Sequence, residues 1–424
     1  MMKRLIEKRL AQSAQRLIAA RQPEIIAITG SVGKTTTKDA IAAVLAARFA
    51  VRATHKNYNN EIGLPLTVIG VDSPGRSLLG WSKVFREAKN LAVDRQAPYP
   101  EMLVLEMGID HPGDMDVLTH IAPPARAVIT RLGTAHAEFF SSLTELHAEK
   151  LKLAAALGDE GIFIYNYEDE KLRAAGQASK ARTLSYGFSR QADVAAENIA
   201  LHVSADPGVN FKLVYDGSAV PVSIPGLISR PGILAALAGA AVGFSYGLNA
   251  IEIAQALKNF HTPAGRMHLL PGGYDGLLID DSYNSSPEAV RESLDTVAEI
   301  DRQEYGEAWI VLGDMRELGV ESRRAHHDIG EYVAGKGFDH LVTVGPEAAL
   351  IAEEARKRGM KTEQIVSFTD ADSAAAYIKE KVGKGDLVLV KGSQAVRLEK
   401  VVKQLMKEPK RAAELLVRQG KEWK

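Results

Sequence analysis

The sequence predicts an α/β protein of two successive domains, each a mostly parallel sheet wrapped by helices. Three observations carry this prediction. Short apolar runs alternate with amphipathic helical stretches from residue 24 to about 262. A second strand–helix series follows a segment rich in Pro and Gly. A glycine-bounded turn, "TGSVGKTTT", joins the first apolar run to the first long helix of the series.

Residues 1–22, "MMKRLIEKRLAQSAQRLIAA" and onward, read as an amphipathic helix with Ile6, Leu10, Ala14, Leu17 and Ile18 on one face. Charges interrupt each apolar run, so it does not read as a signal peptide. Its basic face (Lys3, Arg4, Lys8, Arg9, Arg16) suits a membrane surface, but packing on the first domain is the simpler expectation. The first domain, 23–262, has buried parallel strands at "EIIAITG", "MLVLEMG", "RAVITRL" and "GIFIYN". "DVAAENIALHVS" and "NFKLVYDGSAVPVSIPG" alternate and carry turn residues, which predicts antiparallel edge strands. Helices are expected over roughly 231–245 and 249–259. Residues 263–273 read as a hinge. The domain 274–424 has strands at "GLLIDDSY", "AWIVLGD", "HLVTVG", "QIVSF" and "DLVLVKG", a doubly wound, Rossmann-like pattern. No G-x-G-x-x-G follows its first strand, so a dinucleotide cofactor is not expected.

Composition narrows the class. The 424 residues are 46% hydrophobic and carry a net charge of -1, which gives no global attraction for nucleic acid. Without cysteine there is no disulfide and no thiolate catalysis or metal ligation. This fits a reducing compartment, and a cytoplasmic location is expected. No apolar run approaches the length of a transmembrane helix.

The turn Gly30-Ser31-Val32-Gly33-Lys34-Thr35-Thr36 has the chemistry of a polyphosphate site, making the first domain a P-loop ATPase unit. A helix N-terminus offers unpaired N–H groups and the positive end of its dipole. Lys34 reaches terminal phosphates, and the Thr35 hydroxyl suits Mg²⁺. Ile28 stands where the usual pattern has its first glycine, so the loop is a variant. Glu106 ends the strand "MLVLE", where an acid faces the same crevice and suits Mg²⁺. His136, in "TRLGTAHAEFF", leaves the next strand at the same edge and is a candidate metal ligand. Lys150 completes a helical stripe with Leu143, Leu146, Leu153 and Leu157. An ordinary lysine is neutral in about one molecule in 2,500 at pH 7. Burial and a nearby dication would raise that fraction, and a neutral amine adds CO₂ to give a carbamate able to bridge metals. A snorkelling lysine at the edge of the stripe is the other reading, and spacing does not choose between them. Around the hinge, Arg266 suits a γ-phosphate and Asp281 suits ribose hydroxyls. Tyr283 and Asn284 suit adenine, and each has an equally plain structural reading.

Taken in order, "ITGSVGKTTTKDA", "NYNNEIGLPLTVIG", "LVLEMGIDHPGDM", "GTAHAEFFSSLTELHAEKLKL", "PAGRMHLL", "DDSYNSSPEAV", "VLGDMRELGVESRRAHHDIG" and "VLVKGSQAVRLEKVV" resemble the Mur ligases of peptidoglycan synthesis, and within them the MurF type. The resemblance implies an ATP-dependent amide ligase that works through an acyl phosphate. Its substrates would be a muramyl peptide carboxylate and a D-Ala-D-Ala-like amine. It implies ATP contacts by Lys34, Arg266 and Asp281, Mg²⁺ held by Thr35, Glu106 and His136, and a carbamylated Lys150. It places Asn57, Asn59 and Asn60 near substrate. The loops holding Asp314, Arg316, Glu317, Lys391 and Ser393 would line the amine's crevice, with domain closure about the hinge. Two departures matter. The family's N-terminal UDP-binding domain is expected to be absent, which leaves room for a partner protein or a different carboxylate. Pro231, Gly232 and Ala235 stand where the family usually has the asparagine pattern near adenine. A P-loop switch or motor NTPase and an inactive binding homologue are the rival classes.

Overall fold

The computed structural model describes residues 2–55, 58–134, 137–203, 207–420 and 423. Its contacts divide the chain into two units. The first comprises Met1–Ile199, Asn210–Ser223 and Ile233–Phe260, and the second Ala200–Val209, Ile224–Gly232 and His261–Lys424.

In the first unit, α1 (Met2–Arg21) precedes β1 (Glu24–Thr29), α2 (Lys34–Leu45) and β2 (Val51–Ala53). Then come α3 (Gly63–Ile69), α4 (Leu78–Val93), β3 (Met102–Glu106), α5 (Asp114–Ile121), β4 (Arg126–Ile129) and α6 (Leu143–Ala155). They are followed by β5 (Ile162–Asn166), α7 (Glu170–Ala178), β6 (Arg182–Gly187) and β7 (Val194–His202). The series ends with β8 (Gly208–Tyr215), β9 (Ser218–Pro225), α8 (Arg230–Ser245) and α9 (Ala250–Leu257), although the parts of β7–β9 and α8 within Ala200–Val209 and Ile224–Gly232 count with the second unit. Strand order is β2-β3-β1-β4-β5-β6-β7-β8-β9. β1 lies between β3 and β4 and is parallel to both. The chain leaves β1 on one side, returns through β3 and crosses to β4. This order opens a crevice beyond the C-terminal ends of these three strands. Their burial on both faces explains the unbroken apolar runs.

One expectation changes. The antiparallel edge begins a strand later than read, because β7 runs parallel to β6 over Tyr186↔Val194 and Gly187↔Ala195. Asp193, just before β7, clamps that join by accepting from the Ser185 N–H at 2.7 Å and its hydroxyl at 2.6 Å. The β8–β9 hairpin turns through Asp216 and Gly217, both at positive φ, the backbone a two-residue hairpin favours.

α1 is packed rather than displayed. Leu10, Ala14 and Leu17 are fully buried against a core shared with α3 and α4. Arg9, one of the basic residues, stacks over Phe85 at 4.8 Å. Arg21 donates to the carbonyls of Leu91, Asp94, Arg95 and Ala97. Among the described residues no helix is long and apolar enough to cross a membrane.

The second unit holds β10 (His268–Pro271), β11 (Leu277–Asp281), α10 (Pro287–Glu299), β12 (Ala308–Gly313), α11 (Ser322–Ala334) and β13 (His340–Val344). It continues with α12 (Ala349–Lys357), β14 (Ile365–Phe368), α13 (Ala371–Lys381), β15 (Leu387–Lys391), α14 (Glu399–Leu405) and α15 (Ala412–Leu415). The sheet order is β10-β11-β15-β12-β13-β14, parallel except for β10. Part of the segment read as a hinge is therefore β10, whose Leu270 is buried against the sheet's core.

Leu17→Ala should cost the first unit about 2–5 kcal/mol, because it empties a fully enclosed site. Hydrogen exchange should quicken across α1 and α4 while β11 and β15 keep wild-type protection. Unchanged exchange in α1 would refute its role as part of the core.

Candidate active site

β1 delivers the chain into the loop at its buried end. Gly30 (φ 145) and Gly33 (φ 84) adopt backbones that other residues rarely hold. A Cβ on Gly30 would come within 2.0 Å of the Thr130 hydroxyl. The loop is braced from β4: the Ser31 N–H donates to Arg131 O at 2.8 Å, and the Thr130 hydroxyl donates to Val32 O at 2.6 Å. The Gly133 N–H in turn donates to Ser31 Oγ at 2.8 Å. Gly33 caps α2 without a side-chain bond, at the helix end that faces the loop. Lys34 Nζ donates to Gly30 O at 2.7 Å, which curls the side chain back over the loop.

Three sequence-predicted residues converge beside it. Thr35 Oγ1 donates to Glu106 Oε2 at 3.0 Å, and Asn59 Nδ2 donates to Glu106 Oε1 at 3.2 Å. The Glu106 N–H donates to Thr54 Oγ1 at 2.9 Å, and the residue is only 5% exposed. Thr54 was not foreseen. Its carbonyl accepts from buried Lys38 Nζ at 2.7 Å, one helical turn past Lys34. Asn60 turns the other way: its Oδ1 accepts from the N–H groups of Ile62 and Gly63, just ahead of and at the start of α3. Asn57 and His136 lie outside the described residues. Among the described residues no three His, Asp or Glu side chains gather as a metal cluster.

Lys150 is buried, at 1% exposure. Burial, and after it the nearby charge of Lys34, pushes its ammonium from 10.5 down to about 7, while Asp110 and Glu149 act in the opposite sense. The snorkelling alternative therefore falls. Glu149, also missed, accepts from the N–H groups of Gly113 and Met115 at 3.0 and 2.9 Å. It thus ties α6 to the N-terminus of α5. His147, one turn before Lys150, bonds Gly133 O at 3.3 Å and Lys171 Nζ at 3.3 Å. The Lys171 ammonium can only donate, so the imidazole donates to Gly133. Burial first, then the Lys171 charge, lowers its pKa.

In the second unit, Asp281 accepts from Lys391 Nζ at 2.7 Å, Ser293 Oγ at 2.6 Å and the Met267 N–H at 3.2 Å. Lys391, 2% exposed, also donates to Asn284 O. Asp314, 1% exposed, accepts from the N–H groups of Glu347 and Ala348 and pairs with Arg316. Ser393 Oγ accepts from the Arg316 N–H. Of these residues expected along a crevice, Asp314, Lys391 and Ser393 are buried in bonds within the domain, whereas the Arg316 side chain is 52% exposed. Glu317 holds a left-handed backbone, φ 63. Arg266 stacks on Tyr283 at 4.2 Å. Ser229 caps α8 through the Gly232 N–H, with Pro231 in the first turn, so this segment is built as a helix start.

Comparison with known proteins agrees with this layout. The Mur ligase middle domain matches residues 28–74 and 88–242, and the Mur ligase glutamate ligase domain matches 265–394. The UDP-N-acetylmuramoyl-tripeptide–D-alanyl-D-alanine ligase of Bacillus subtilis is 30% identical over 94% of this chain and 79% of its own length. MurF from Thermotoga maritima, solved with ADP, superposes with a TM-score of 0.77 at 26% identity, over 95% of this chain and 84% of that one. MurF from Acinetobacter baumannii gives the same TM-score, 0.77, at 25% identity, over 93% and 79%.

The Lys150 amine titrates near 10.5 when unfolded and at about 7 in the fold. The unfolded state therefore binds the extra proton between those values, and stability rises with pH across that window. In carbonate-free buffer Lys150→Met should be more stable than wild type at pH 6 by about 3–5 kcal/mol. Urea denaturation at pH 6 and pH 10.5 should show the difference shrinking at the higher value, and a pH-independent difference would contradict it.

Proposed function

We propose that this chain, which belongs to the Mur ligase family, is an ATP-dependent amide ligase that adds D-alanyl-D-alanine to a UDP-N-acetylmuramoyl tripeptide. The observation that carries the reading is Lys150: a fully enclosed amine within electrostatic range of the Lys34 ammonium at a phosphate loop. A switch NTPase has no use for it.

The chemistry follows from the groups present. A substrate carboxylate oxygen attacks the γ-phosphorus, and the bond to the β-phosphate oxygen breaks, giving an acyl phosphate and ADP. The amine nitrogen then attacks the acyl carbon, loses a proton and expels phosphate. Lys34 leaves the Gly30 carbonyl to meet charge on the transferring phosphoryl group, and the first-turn N–H groups of α2 hold the remaining phosphate oxygens. We assign Arg266 to the same nucleotide. Thr35 and Glu106 offer hard oxygens 3.0 Å apart, a donor set that fits Mg²⁺. When bound there, Mg²⁺ supplies charge neutralisation to the polyphosphate. The neutral Lys150 amine adds to the carbon of CO₂ and releases a proton, leaving a carbamate that contributes further oxygens. Asn59 holds Glu106 in orientation through its second oxygen.

Lys34→Ala should leave less than about a tenth of wild-type ADP release, since such contacts supply several kcal/mol to the transition state. ADP release by the wild type should require both the muramyl tripeptide and the dipeptide. Release with neither present would favour a plain NTPase.

Lys150→Ala should be nearly inactive and should regain activity with added short carboxylic acids, which replace the carbamate's oxygens. Wild-type protein in ¹³C-bicarbonate should show a carbamate carbon resonance that the variant lacks. Full activity of the variant without rescue would remove Lys150 from the mechanism.

A further inference from the structure

The region matched by the ligase domain model stops at residue 394, yet the chain beyond it returns to the turn that carries Arg266. Arg418 holds a left-handed backbone, φ 57, and its side chain is only 5% exposed. The guanidinium donates to Ser282 O at 3.0 Å and to Tyr283 O. It also pairs at 3.3 Å with Glu399, which is fully buried and takes Arg397 on its other oxygen. Two guanidinium groups approach the Tyr283 ring, Arg266 at 4.2 Å and Arg418 at 5.4 Å from its centroid.

The neighbour of Arg418 reaches the same turn. Gly265 (φ 71) has Val417 Cγ1 3.2 Å from where a Cβ would stand, and its carbonyl accepts from the Tyr283 N–H at 3.0 Å. Val417 and Arg418 therefore meet the turn from one side of the sequence, at Gly265 and at Ser282–Tyr283. Arg266 has a long, rotamer-rich side chain, and fixing one geometry for it costs entropy. A ring stacked on it, and itself held through its backbone carbonyl by Arg418, reduces that cost before any ligand arrives.

We propose that the segment Val417–Arg418 is a positioning strap for the nucleotide: it fixes Tyr283 and the Gly265 turn, and so pre-sets the direction of Arg266. This rests on the assignment of Arg266 to ATP made above. Arg418 itself touches no substrate. A buried guanidinium shared between two carbonyls and a buried carboxylate is costly to assemble and, once assembled, rigid.

The test is steady-state kinetics of the full chain with each substrate varied in turn. Arg418→Lys keeps the charge for Glu399 but loses the forked donation to the two carbonyls. It should raise KM for ATP by about tenfold, while kcat and the KM values of the two other substrates stay within about threefold. Val417→Gly, which removes the contact with Gly265 without unpairing a charge, should raise KM for ATP in the same direction should Arg418→Lys fail to fold. Arg411→Ala, on the exposed surface of the same region, should match wild type. A folded Arg418→Lys or Val417→Gly protein with unchanged KM for ATP would overturn the strap, as would equal losses for all three substrates. Arg266→Ala separates the two levels. Unchanged ATP affinity in that variant overturns the assignment of Arg266, whereas a loss there beside intact strap variants overturns only the strap.

Discussion

The loop end of the first unit is organised around one buried carboxylate. Glu106 sits at the end of β3, accepts from Thr35 through one oxygen and from Asn59 through the other, and is fixed along its backbone by Thr54. These partners come from α2, from the stretch before α3 and from the end of β2. Burying a carboxylate is costly unless its oxygens are satisfied, so each hydrogen bond offsets part of that cost. The parallel pairing of β3 with β1 sets the distance, because Ile28 and Glu106 are in register and the phosphate loop starts two residues later. A change in any of these partners would reach the loop through this one side chain.

Much of this was legible beforehand, for identifiable reasons. The strands β1, β3, β4 and β5 are buried on both faces and read as unbroken apolar runs. β2 and β6 escaped notice because their burial is partial: three half-buried residues in one, and an exposed first half in the other. The direction of β7 was misread because an alternating pattern reports one-sided burial and says nothing about the partner strand. β10 was hidden in a Pro- and Gly-rich stretch whose pairing with β11 is a tertiary event.

Site residues divided along the same line. Lys34, Thr35 and Glu106 stand at strand ends or helix starts, where position along the chain fixes position in space. Thr54, Lys38, Glu149 and His147 act by bonds to backbone groups far away in sequence, and no local pattern marks such residues. Adjacency to Lys150 was the one available signal for Glu149. In the second unit, Asp281, expected near ribose, and Lys391, expected along the crevice, bond to each other, and Asp314 accepts from the N–H groups of Glu347 and Ala348. These bonds join residues far apart in the chain, which the local sequence pattern does not report.

Lys150 shows why both kinds of residue are needed. An amine lowered to about 7 is useful only if it stays enclosed and near the loop. Enclosure comes from its place on the apolar stripe with Leu146 and Leu153. Proximity comes from its neighbours: Glu149 fastens α6 to the N-terminus of α5, and His147 fastens it to Gly133, which itself holds Ser31 of the loop. The imidazole must remain neutral to accept from Lys171 while donating to Gly133, and its burial beside that ammonium keeps it so. The helix carrying this buried amine is thus tied at two points to neighbouring elements. The charge of Lys34, by opposing a second ammonium nearby, helps hold the amine's pKa down.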